Sequence, residues 1–122
     1  MFLSGMDLIA CLTTGKGTWG HVNRLITEKE WDTIFLVTNE FGRENFTPSK
    51  KSNFVIVDPR RGMEELRDDI KDQLNGHIKG TEAAVNLVSG TGKEHMAVIS
   101  AILKLGYGVR FVAVTKDGVK EV

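Results

Sequence analysis

Five short apolar runs, each followed by a turn or a helix-patterned segment, constrain this chain more than any other feature. They lie within Asp7 to Leu12, Trp31 to Thr38, Phe54 to Val57, Ala83 to Val88 and Val109 to Val114. Inside them apolar residues follow one another without alternation, which is the pattern of a strand covered on both faces. The intervening segments have a different period. Gly17 to Ile26 places Trp19, Val22 and Ile26 at near-helical spacing. Met63, Leu66, Ile70 and Leu74 recur every three or four residues among charges and predict an amphipathic helix. Lys93 to Leu105 predicts a second long helix, ended by Gly106. Asn39 to Lys51 contains Gly42, Asn45, Pro48 and Ser49 and reads as a loop with at most one helical turn. Lys116-Asp117-Gly118 reads as a turn into a last extended piece, Val119 to Val122.

Strands alternating with helices imply βαβ units and a mainly parallel sheet. Right-handed crossovers then predict a three-layer, doubly wound, Rossmann-like α/β fold. The expected sheet has five strands in the order 3-2-1-4-5, with a short C-terminal hairpin strand as a possible addition. In that order the first and fourth strands are neighbours at the switch point, where their connections diverge and open a crevice at their carboxyl ends.

The 122 residues fit one domain, 1–122, long enough to bury a core without disulfide or metal staples. Sixteen Lys and Arg balance sixteen Asp and Glu, so no global field gathers DNA, and extended nucleic-acid binding is not expected. Cys11 is the single cysteine, which removes intramolecular disulfides and Cys-based zinc sites from consideration and agrees with a cytoplasmic location. Met1 to Met6 lacks a basic n-region and a small-residue cleavage site, so no leader is expected, and no apolar stretch reaches bilayer length.

Two glycine-rich turns carry the chemistry. Thr13-Thr14-Gly15-Lys16-Gly17-Thr18 follows the first strand, and Ser89-Gly90-Thr91-Gly92-Lys93 follows the fourth. Glycine allows a tight turn and a close backbone approach, and a helix that starts there presents unpaired N–H groups and a positive dipole end to an anion. Thr13, Thr14, Ser89 and Thr91 add hydroxyls, and Lys16 and Lys93 add charge. The same glycines can serve simply as tight turns, but two such turns at one switch point favour a shared phosphate site.

Gly15-Lys16-Gly17-Thr18-Trp19-Gly20 also fits G-x-G-x-x-G, with Glu40 near the end of the second strand, so a dinucleotide-binding regulatory module of the NAD type is the rival reading. The bulky Trp19 sits where that fingerprint wants close packing. Gly92-Lys93 is followed by Glu94 and lacks the spacing of a P-loop. Trp19 and Phe41 fit core or base-stacking roles. Arg60-Arg61 fit phosphate contact or solvated surface. Asp68-Asp69 read as a solvated face without metal-site spacing, and no metal or other cofactor is called for. His95, in the first turn of a helix, fits a capping residue better than a proton donor.

Val85-Asn86-Leu87-Val88-Ser89-Gly90-Thr91-Gly92-Lys93-Glu94-His95-Met96 resembles the hallmark of CARF domains, the CRISPR-associated Rossmann fold: a strand with an Asn, a Gly/Thr/Lys turn, and a Met opening an apolar helix. Leu8 to Leu25 resembles that family's first block. The resemblance implies a homodimer in antiviral defence that binds cyclic oligoadenylate across its two-fold axis. It implies ligand contacts from Thr13, Thr14 and Gly15, and from Ser89, Gly90, Thr91, Lys93 and Met96; Lys16, Gly17, Thr18 and Gly92, in the same two turns, are expected to join them. Gly92 departs from the commonest form of the motif by standing before the lysine. The resemblance further implies that a sensor without an effector domain either sequesters the ring or cleaves it without metal, by attack of a ribose 2′-hydroxyl on phosphorus. Lys93 would then stabilise charge, and Thr13 and Thr14 would fix the ribose and phosphate. The helix after the second turn is apolar nearly all round, so a second subunit or a neighbouring helix is expected to cover its outer face.

Overall fold

The computed structural model describes residues 5–12 and 15–122. Its strands are β1 (Met6–Cys11), β2 (Trp31–Thr38), β3 (Asn53–Ile56), β4 (Glu82–Asn86), β5 (Gly108–Thr115) and β6 (Gly118–Glu121). Its helices are α1 (Trp19–Glu28), α2 (Glu40–Asn45), α3 (Met63–Leu74) and α4 (Gly92–Lys104), with a 3-10 turn at Lys16–Thr18 before α1. The sheet order is β3-β2-β1-β4-β5-β6. Every pair from β3 across to β5 is parallel, and β5–β6 is antiparallel. The sheet therefore has six strands rather than five. The C-terminal hairpin strand extends it at the β5 edge, because Lys116-Asp117-Gly118 closes a tight turn in which Gly118 takes a positive φ of 100°.

Two apolar layers enclose the sheet. On one face, Ile9, Cys11, Phe35, Val37, Val55 and Val85 meet Leu66, Ile70 and Leu74 of α3 and Ala97, Val98, Ala101 and Ile102 of α4. On the other, Leu8, Ala10, Ile34, Leu36, Ala84 and Val112 meet Trp19, Val22, Leu25 and Ile26 of α1. Consecutive strand residues thus feed opposite layers, which is why the runs show no polar alternation.

The expected loop at Asn39 to Lys51 contains the short helix α2. Asn39 caps it, its Oδ1 accepting from Gly42 N at 3.0 Å. Gly42 is buried over the end of β2, where a Cβ would stand 1.9 Å from Thr38 Oγ1, so only glycine lets the helix lie there.

A buried carboxylate ties the opposite edge of the sheet. Asp7 is fully enclosed in β1. Its Oδ2 accepts from Lys79 N at 3.1 Å and Gly80 N at 2.9 Å, and Thr33 Oγ1 donates to its Oδ1. These bonds hold the segment that leads into β4 against β1, and they satisfy a charge that burial would otherwise make costly. Among the described residues no helix is long and apolar enough to cross a membrane.

Candidate functional site at the carboxyl edge of β1 and β4

β1 and β4 pair in parallel register, Ala10 opposite Asn86. Both end at the same edge, so the segments after Cys11 and after Asn86 emerge side by side. Gly90 shows how close they come. Its φ is +108°, and a Cβ added there would lie 3.4 Å from Cys11 Cβ and 3.1 Å from His95 Nε2. The second turn therefore rests on the end of the first strand, and the left-handed backbone there favours glycine.

Thr13 and Thr14, expected to contact ligand and reaction centre, lie outside the described residues. Gly15, Lys16 and Gly17 are exposed at the same edge. Lys16 Nζ stands 5.7 Å from the ring centroids of both Trp19 and Phe41, and it makes no ion pair among the described residues. Thr18 Oγ1 is buried without a hydrogen-bond partner among the described residues. A buried hydroxyl left unpaired costs about 1–3 kcal/mol.

At the second turn, Thr91 and Glu94 form a reciprocal capping box. Thr91 N donates to Glu94 Oε1 at 2.8 Å, and Glu94 N donates to Thr91 Oγ1 at 3.3 Å. The first bond inside α4 is His95 N to Thr91 O, and among the described residues the N–H groups of Gly92 and Lys93 have no partner at the helix start. The Thr91-x-x-Glu94 spacing is a sequence signature of this cap, and reading Thr91 only as a ligand donor overlooked it. Glu94 also brings a negative charge to the mouth. The Cys11 thiol is pushed up to about 12, first by burial and then by the Glu94 carboxylate. That thiol is inert as a nucleophile at neutral pH.

Lys93 does not stand free in the mouth. Its ammonium donates to the carbonyls of Pro59, at 3.0 Å, and Arg61, in the segment between β3 and α3. One of its three N–H groups remains for a ligand. His95 donates from Nε2 to Ser89 O at 2.9 Å and so stabilises the turn it follows. Ser89 is buried beneath the turn. Arg60 is held by Asp58, and Arg61 by Glu65 and Asp69. Those two arginines spend their charge on carboxylates, and Asp58 is held down at about 2, chiefly by its hydrogen bonds with Arg60. Met96 points outward: it is 66% exposed, and with Ile99 and the 55%-exposed Leu103 it forms an apolar face on α4.

The dinucleotide fingerprint has less physical content than its letters suggest. Its third glycine is wanted for close helix–strand packing, yet Gly20 is exposed and a Cβ there would meet nothing within 4 Å. Glu40 pairs with Arg43 within α2. No protein-family model matches this chain, and no curated protein matches it in sequence.

Behind the second turn sits a residue that the strand pattern alone could not interpret. Asn86 Nδ2 donates to Val112 O at 2.8 Å, and Val88 N donates to Asn86 Oδ1 at 3.3 Å. The buried amide thus joins β4 to β5 and starts the turn.

Proposed function

We propose that this domain binds a phosphate-bearing nucleotide messenger at the carboxyl edge of β1 and β4, and that cyclic oligoadenylate is the ligand class, as the CARF resemblance implies. The observation that supports the reading is the contact of the Gly90 turn with the end of β1, the strand from which the first glycine turn departs. At the second turn the N–H groups of Gly92 and Lys93 have no partner among the described residues, and Lys16, exposed in the first turn, makes no ion pair among them. Amide donors at a helix start, with a nearby cation, suit phosphate.

A two-fold ligand calls for a two-fold protein. The exposed Met96, Ile99 and Leu103 on α4 supply an apolar surface for a second copy. The reading is of a binding module first. Ring cleavage would need Lys93 to use its third N–H or to release a carbonyl of the β3–α3 segment.

Thermal shift tests the proposal. Cyclic tetra- or hexa-adenylate at about a hundred times its Kd adds about 2.7 kcal/mol, a clear rise in melting temperature, whereas NAD, ATP and AMP leave it unmoved. Absence of any shift with adenylates overturns the reading, and a shift with NAD alone restores the dinucleotide alternative. Chromatography of the adenylate after incubation in chelator separates sequestration from cleavage.

A further inference from the structure

A cavity of about 530 Å³ opens at the carboxyl ends of β2 and β3, on the same sheet edge as the glycine turns. Phe41, Val57 and Pro59 give it apolar walls, and Asn39, Asp58 and Asp69 bring polar groups to it. Two contacts tie it to the turns. Phe41 shares the Lys16 ammonium with Trp19, and Lys93 reaches from the second turn to the carbonyl of Pro59.

We infer that this cavity takes the base of the bound nucleotide, stacked on Phe41, while the phosphate stays at the glycine turns. The inference rests on the nucleotide reading for the position of the phosphate and goes beyond it in assigning the base.

Charge separates the two halves of the ligand. Each arginine at the cavity is matched by a carboxylate, Arg60 by Asp58 and Arg61 by Asp69 and Glu65. The guanidinium charge at the cavity is thus spent within the fold, whereas the helix-start amides of Gly92 and Lys93 at the second turn have no partner among the described residues. An uncharged, planar group suits it better. Phe41 is 41% exposed, although it is a large apolar ring next to the buried Trp19, 6.2 Å away between centroids. A base laid on it would cover that surface and gain stacking.

The edge chemistry fits a nitrogen heterocycle rather than a hydrocarbon. Asn39 Oδ1 is engaged by Gly42 N, which fixes the amide and leaves Nδ2 as a donor. Asp58 and Asp69 are acceptors. A base edge carries both kinds of group. The gap from the turn to the cavity wall is bridged by one lysine side chain, a reach comparable to that from a nucleotide's phosphate across its ribose to the base.

The test is amide NMR on the whole chain with two partial ligands. Adenosine has the base and no phosphate, and pyrophosphate has the reverse. Adenosine at millimolar concentration is expected to shift residues 39–41 and 56–58, and pyrophosphate to shift residues 90–93. Phe41→Leu keeps an apolar side chain but removes the ring. It is expected to weaken adenosine by about fivefold or more and to leave the pyrophosphate response intact. Phe41→Trp should retain adenosine binding. If adenosine leaves residues 39–41 and 56–58 unmoved, or Phe41→Leu binds it as tightly as the wild type, the assignment of the base is wrong. Failure of the nucleotide reading itself would appear separately, as no response of residues 90–93 to pyrophosphate.

Discussion

The side-chain amide of Asn86 donates to Nε2 of His21, 3.2 Å away, across the junction of β4 and α1. Val114 N donates to the same nitrogen at 3.3 Å. Asn86 cannot turn its oxygen to the ring, because its Nδ2 is needed by Val112 O and its Oδ1 by Val88 N. Nε2 of His21 is therefore an acceptor, and the imidazole is neutral with its proton on Nδ1.

Acid should loosen this junction. The His21 pKa is lowered from 6.5, first by burial and then by the Arg24 charge. The unfolded chain then binds the proton more readily than the folded one, so the stability His21 contributes is present above about pH 6.5 and is lost as pH falls through the folded value. The melting temperature of the wild type is expected to drop between pH 7 and pH 5, and His21→Gln to flatten that slope. An equal slope in both proteins would remove His21 from the account.

Asp7→Ala should destabilise the fold by about 3 kcal/mol, because it leaves the Lys79 and Gly80 amides unpaired in a buried setting. Asp7→Asn keeps one acceptor oxygen and should cost less. Urea unfolding measures both. A loss below 1 kcal/mol for alanine would mean that water replaces the carboxylate.

Gly90→Ala and Gly92→Ala should separate folding from binding. At Gly90 the positive φ and the contact with His95 strain any side chain, at a cost of about 1–3 kcal/mol. At Gly92 a Cβ meets nothing within 4 Å, and alanine suits a helix start better than glycine by a few tenths of a kcal/mol up to about 1 kcal/mol. Gly92→Ala should therefore keep or raise the melting temperature while weakening ligand, since the methyl stands where phosphate would approach the amide. Unchanged ligand affinity in this variant would move the phosphate away from α4.

Leu103→Glu addresses the outer face of α4. Leu103 is largely exposed in the isolated chain, so its replacement should cost the fold little. Sedimentation is expected to give a dimer for the wild type and a monomer for Leu103→Glu. A wild type that stays monomeric at 100 µM (about 1.4 g/L for this 13.5 kDa chain) contradicts the homodimer.

The architecture was legible because it follows from local, periodic information. The apolar runs at Leu8, Leu36, Val55, Val85 and Val112 name the strands, and the right-handed crossover rule then orders them and puts the two glycine turns at one edge. The 3.6-residue period of Leu66, Ile70 and Leu74 names the helix that covers one face. The sixth strand was legible only as a turn and a short extended piece, because a hairpin's place in a sheet depends on the edge it finds. The capping box at Thr91 and Glu94 was also written in the spacing, although the hydroxyl was read as a ligand donor.

What the sequence alone determined is the order of the elements and the sheet edge at which the chain leaves β1 and β4, since these depend on periodicity and chain connectivity. Tertiary structure decided where the long and polar side chains go. It sent Lys93 to the carbonyls of Pro59 and Arg61, locked His21 neutral against Asn86 and Val114, buried Asp7 under the Lys79 and Gly80 amides, and left the Phe41 ring beside a cavity. Each of these joins residues distant in sequence, and the direction of a flexible side chain is set by whichever donors and acceptors the folded backbone brings within reach.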